Sequence, residues 1–196
     1  MSNKKAHTTM ALVFGYMGLL IFGSCLSETN PDPYNQCPGP RMADAKGLNV
    51  FHAPYTDNHY STFEDTVLLE DYIFVLEITP EVLKESFLKN SLPGQAYALS
   101  CLESYNFRNI SNLSVTLTAP FGDLPTGTDI SYLFENYNKE MLSKIRDFNN
   151  LEPYLGLYFK SVPKENFSQL KTRTYLFLKN GTQIWVDSTS PHLKTN

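Results

Sequence analysis

Residues 174–187 read Thr174-Tyr-Leu-Phe-Leu-Lys-Asn-Gly-Thr-Gln-Ile-Trp-Val-Asp187, two runs of β-branched and aromatic residues around Asn180-Gly181. Asn-Gly between such runs is the strongest short-range hairpin signal, because both residues tolerate the positive φ of a type I′ turn. A two-residue loop places Phe177 opposite Ile184 and Leu176 opposite Trp185.

Working outward, Asn112 to Thr118 alternates strictly, with Leu113, Val115 and Leu117 on one side and Ser114, Thr116 and Thr118 on the other. One face is core and the other is wet. Asp65 to Thr79 is rich in β-branched and aromatic residues and reads as a long strand, broken near Glu70-Asp71. Further strands are expected over Gln95 to Glu103 and Tyr154 to Lys160. A Gly-, Asp- and Pro-containing loop is expected up to about Tyr60. Thr79-Pro80-Glu81 has the cap, proline and early acid of a helix start, running to Asn90, and Asp129 caps a second helical stretch through Phe134 toward Ile145. The expected fold is mainly β, a β-sandwich-like antiparallel domain with one or two short inserted helices.

Length and charge bound the function. The 196 residues are 42% hydrophobic and 13% aromatic, enough for a core in one domain. The formal charge is −4 and no run of Lys or Arg occurs, which argues against nucleic acid as a partner.

The N-terminus carries Lys4 and Lys5 and then thirteen apolar or neutral residues, Met10 to Phe22. As a helix these rise only about 20 Å, too short to span a bilayer and suited to a signal peptide. Phe22-Gly23-Ser24-Cys25 follows at once and resembles a bacterial lipobox, with Phe22 where Leu, Val or Ile is usual. That resemblance implies lipidation of the Cys25 thiol and cleavage after Ser24. Ordinary secretory cleavage is the alternative. Loss of residues 1–24 removes Lys4 and Lys5 and no acid, so the formal charge falls from −4 to −6. The resulting organisation is a signal peptide over 1–24, a Pro-containing tether over 25–45, the β domain over 46–188 and a tail over 189–196.

With Cys25 lipidated, Cys37 and Cys101 remain in an oxidising compartment. They can close one disulfide, restricting the unfolded chain by roughly 4 kcal/mol on the loop-entropy model, or stay as two thiols. No cysteine or histidine spacing matches a structural zinc site.

Ala96-Tyr97-Ala98-Leu99-Ser100-Cys101, then Ile110, the Leu113/Val115/Leu117 strand, and Gly127-Thr128-Asp129-Ile130 ahead of Phe134 carry a likeness to a known group. Over about Cys25 to Asp187 the chain resembles a family of uncharacterised Bacteroidetes lipoproteins classed as a domain of unknown function. The resemblance implies a lipid-anchored, mainly β envelope domain and supplies no catalytic residue. Some lipoproteins of that phylum carry an acidic surface-export stretch after the cysteine. Ser27, Glu28 and Asp32 are a diluted version of it.

Candidate chemistry centres on residues 51–63. Phe51, Tyr55, Tyr60 and Phe63 offer aromatic faces suited to sugar rings or a protein partner. His52, Asp57 and His59 are two histidines and a carboxylate, a donor set some metals accept, though at no established ligand spacing. No metal, cofactor or catalytic residue is assigned, and no Gly-x-Ser-x-Gly elbow or phosphate-cradling loop occurs. The expected function is that of a cell-envelope lipoprotein, anchored to the membrane (the outer membrane in this reading), with a binding or structural role toward a protein or glycan. Whether the domain faces the periplasm or the surface stays open. The competing reading is an envelope hydrolase or metal-dependent enzyme using the His52–His59 loop.

Overall fold

The longest strand among the described residues, β1 (Arg41–Ala53), runs through residues expected to end the tether and begin a loop. Its alternation is broken by a bulge at Lys46, where the register against the facing strand slips between Ala45 and Gly47. Ala43 and Ala45 before the bulge, and Leu48 and His52 after it, are buried. That parity change hides the strand from a period-two count. In this computed structural model residues 39–83, 102–161 and 168–195 are described. Cys25, Cys37, Cys101 and most of the strand expected over Gln95 to Glu103 lie outside the described residues.

After β1 come β2 (Tyr55–Thr56), β3 (His59–Tyr60), β4 (Thr66–Leu68), β5 (Ile73–Val82), β6 (Tyr105–Phe107), β7 (Ile110–Leu117), β8 (Phe134–Glu135), β9 (Tyr154–Phe159), β10 (Ser168–Leu178) and β11 (Gln183–Lys194). They make a five-stranded sheet, β6-β1-β5-β9-β8, a four-stranded sheet, β4-β11-β10-β7, and the small β2-β3 hairpin. Most pairs are antiparallel, while the edge pairs β1–β6 and β11–β4 are parallel. The chain is mainly β and sandwich-like. Leu76, Ile78 and Leu157 from one sheet share a core with Leu113, Leu117, Leu170 and Leu176 from the other, each fully buried side chain contributing about 1.5–3 kcal/mol. The break expected near Glu70-Asp71 separates β4 from β5 and carries the chain from one sheet to the other.

Both expected helices are corrected. The helix start at Thr79-Pro80-Glu81 is instead the end of β5, with Pro80 opposite Ala45. Pro is tolerated there because β9 pairs only with Phe74–Glu77, so the proline interrupts no ladder on that side. The residues of that helix beyond Leu83 are outside the described set. The second expected helix is two separate 3-10 turns, Ser131–Leu133 and Leu142–Lys144. Asp129 does accept the Ser131 N–H (2.8 Å). The run then stops because the Asn136 side chain accepts the Asn138 and Glu140 N–H groups (2.9 and 3.0 Å) and Lys139 takes a φ of 63°.

The hairpin at Asn180-Gly181 forms, but one residue out of the expected register. Leu176 faces Ile184 and Tyr175 faces Trp185. Only Gly181 has positive φ (87°), and Leu178 pairs with Thr182 around a three-residue loop, a type I turn closed by a left-handed glycine. Residues expected as a tail continue β11 to Lys194, with Ser190 and Leu193 buried.

The bulge in β1 is held from outside. The Asn109 side chain accepts the Ala45 N–H (2.7 Å) and donates to the Ala45 carbonyl (3.0 Å), standing in for a strand neighbour. Gly47 packs close beside it, and a Cβ there would lie 3.0 Å from Thr79 Oγ1, so that side chain would have to give.

Candidate functional site

Because β1 alternates cleanly after the bulge, Leu48 and His52 are buried and Asn49 and Phe51 take the outer face of the five-stranded sheet. Register then lines up two rows. Asn49, Glu77 and Tyr154 stand side by side across β1, β5 and β9, and Phe51, Val75 and Gly156 form the next row. In the first row the Asn49 side-chain amide donates to Glu77 Oε2 (2.8 Å), and the Tyr154 hydroxyl's hydrogen bond to Glu77, followed by that carboxylate's charge, raises the phenol's pKa. The Glu77 carboxylate is thereby fixed from both sides.

The second row begins in an aromatic cluster. Asp57 and Asn58, both at positive φ (52° and 65°), turn the β2–β3 hairpin, so the two-residue turn expected at Asn180-Gly181 is found here instead. Ser61 ties the hairpin back to β1, its N–H donating to the His52 carbonyl (2.9 Å) and its hydroxyl to the Pro54 carbonyl (3.0 Å). Tyr60 is thereby stacked on Phe51 (ring centroids 4.8 Å), and Tyr55 meets Tyr60 edge-on (5.0 Å). Tyr55 is 58% exposed. Three of the four aromatics singled out from sequence come together. Phe63 is exposed outside the stack, and its carbonyl accepts the Gln169 amide (2.6 Å).

The histidine–carboxylate set is not assembled. His52 lies in the core, 6% exposed, stacked on Tyr72 and edge-on to Phe74, with Nδ1 at 3.0 Å from the Tyr72 hydroxyl and no partner for Nε2 among the described residues. Burial lowers its pKa to about 4 and pushes the Tyr72 phenol up. Asp57 and His59 are exposed at the hairpin tip, where His59 Nδ1 meets the Asp57 carbonyl (3.2 Å). No group of three His, Cys, Asp or Glu able to hold a metal occurs among the described residues.

Sequence reasoning missed Glu77, Tyr154, Gly156 and Tyr158. The last three carried a signal, Tyr154-Leu-Gly-Leu-Tyr158, in which the leucines are buried while the tyrosines and the glycine share the outer face; Glu77 joins them only through strand register. A second aromatic group lies on the outer face of the other sheet. There Arg173 binds Asp187 through two nitrogens (2.7 and 2.8 Å) and stacks 4.2 Å from the centre of the Trp185 ring. The hydrogen bonds from Arg173 hold the Asp187 carboxyl below the usual carboxylate range. These groups satisfy one another. Scans of this chain against protein-family models, curated proteins and solved structures return no match.

Proposed function

We propose that this protein is a lipid-anchored cell-envelope lipoprotein that binds a ligand on the outer face of its five-stranded sheet. The single observation supporting the binding role is the cluster of Phe51, Tyr60 and Tyr55 beside the row that holds a carboxylate, Glu77, with Asn49 and Tyr154 as its partners. Exposed aromatic rings beside a fixed polar group are what a recognition surface needs, one part for contact area and the other for orientation. The anchor rests on the N-terminal sequence, a short apolar run ending in small residues before Cys25, and on the lipoprotein resemblance. A diacylated or triacylated Cys25 would hold the domain at a membrane by burying acyl chains at about 0.8 kcal/mol per methylene.

Protease treatment of intact and lysed cells, with Cys25→Ala beside the wild type, tests the anchor. The expected result is membrane retention of the wild type and release of the variant. Unchanged retention of Cys25→Ala would overturn the anchor. Digestion in intact cells marks a surface-facing domain, and protection until lysis marks a periplasmic one.

A further inference from the structure

We infer that the ligand of this face is a neutral glycan chain held along β9, an inference that rests on the binding reading above. A groove of about 740 Å³ borders β9 and is lined by Tyr137, Tyr154, Gly156 and Tyr158 together with the segment from Asp147 to Glu152. It lies within the size range of ordinary small-ligand sites. The three tyrosines are 75%, 51% and 37% exposed, ring area that the fold itself does not bury. Tyr154 and Tyr158 share the outer face roughly 13 Å apart along the strand, four residues at the usual strand rise. Gly156 between them raises no side chain, and its cross-strand neighbour on the same face is Val75. A pyranose ring has the flat C–H faces that stack on tyrosine and the thickness to enter such a gap.

The polar lining fits hydroxyl groups. Asn138, Asn149 and Asn150 offer donors and acceptors, and Glu140, Asp147 and Glu152 accept. Part of this array is set in advance, since Asp147 accepts both the Asn149 N–H (3.0 Å) and its side-chain amide (2.6 Å). No Lys or Arg is among the lining residues, so an anionic glycan would meet only like charge. A basic peptide is the competing occupant, and it differs in one measurable way. Its attraction to the carboxylates is screened by salt, whereas stacking and hydrogen bonding of a neutral sugar are not.

The test is titration of the purified full chain with neutral oligosaccharides (cello-, xylo-, manno-, malto- and laminari- series) and with oligolysine, at low and high salt. The expected result is binding of at least one neutral series, unchanged by salt. Tyr154→Ala and Tyr158→Ala should each weaken it roughly tenfold or more, and Tyr154→Phe, which keeps the ring and loses only the hydroxyl that meets Glu77, should weaken it less than Tyr154→Ala. Gly156→Ala should weaken binding with little change in melting temperature, because a Cβ there meets only Ile73 Cγ2 at 3.4 Å. Trp185→Ala, on the other sheet, should change nothing. Salt-sensitive oligolysine binding lost in Tyr154→Ala, with no sugar bound, would overturn the glycan and keep the face. Binding of neither probe, or sugar binding indifferent to Tyr154, Gly156 and Tyr158, would overturn the glycan along β9, and the face as a whole then stands or falls on its protection in place on cells.

Discussion

Replacing His52 with leucine should make the protein less sensitive to acid. In the folded state the imidazole is buried with a pKa of about 4, against about 6.5 in an unfolded chain. A folded pKa below the unfolded one means that protons bind the unfolded state first. The stability held above pH 6.5 is therefore lost as pH falls toward 4. At pH 4 protonation of this imidazole shifts the equilibrium toward the unfolded state by a factor of roughly 160, which is about 3 kcal/mol. His52→Leu removes the titrating group, at the cost of leaving the Tyr72 hydroxyl without its imidazole partner, worth about 1–3 kcal/mol at every pH. Urea unfolding followed by the fluorescence of Trp185, the one tryptophan of the chain, measures both proteins from pH 7.5 to 4. The other carboxylates titrate in both and cancel in the difference. The variant should begin less stable and gain about 3 kcal/mol relative to wild type by pH 4. Parallel pH curves would refute the reasoning, because they would mean that His52 can be protonated in the folded protein at no cost.

Gly47→Ala should lose about 1–3 kcal/mol in the same unfolding assay, because the new methyl lies 3.0 Å from Thr79 Oγ1. Part of that loss should return in a double variant with Thr79→Ala, and strict additivity would exclude the contact as the cause. Asn109→Ala leaves the Ala45 N–H and carbonyl at the β1 bulge without their partner and should cost about 1–3 kcal/mol. It should also speed hydrogen exchange at Ala45, and unchanged exchange there would show that the bulge holds without Asn109.

Local pattern was enough for some elements and not for others. Leu113, Val115 and Leu117 alternate without interruption, and β7 lies where they place it. The Glu70-Asp71 break was legible because two adjacent charges interrupt an apolar run. β1 was not, since the extra residue at Lys46 inverts its parity and Asn109, sixty-four positions away, stabilises the bulge. Helix-start chemistry at Thr79-Pro80-Glu81 was overruled by pairing with β1, a tertiary choice no local window contains. At Asn180-Gly181 the turn residues were read correctly but the loop length was not, and one residue of loop moves every cross-strand pair. For the candidate site, Phe51, Tyr55 and Tyr60 are near one another in sequence and were visible as a group. Glu77 and Tyr154 join them only through the registers of β1–β5 and β5–β9.

Hydroxyl-radical footprinting of the protein on intact cells, beside the purified full chain, asks directly whether the five-stranded sheet's outer face carries a ligand in place. Tyr60, Tyr154 and Tyr158 should be oxidised less on cells than in the purified protein, while Trp185 on the other sheet should be oxidised equally in both. Equal oxidation of the three tyrosines in the two samples, or protection of Trp185 in their stead, would contradict the assignment of the binding face.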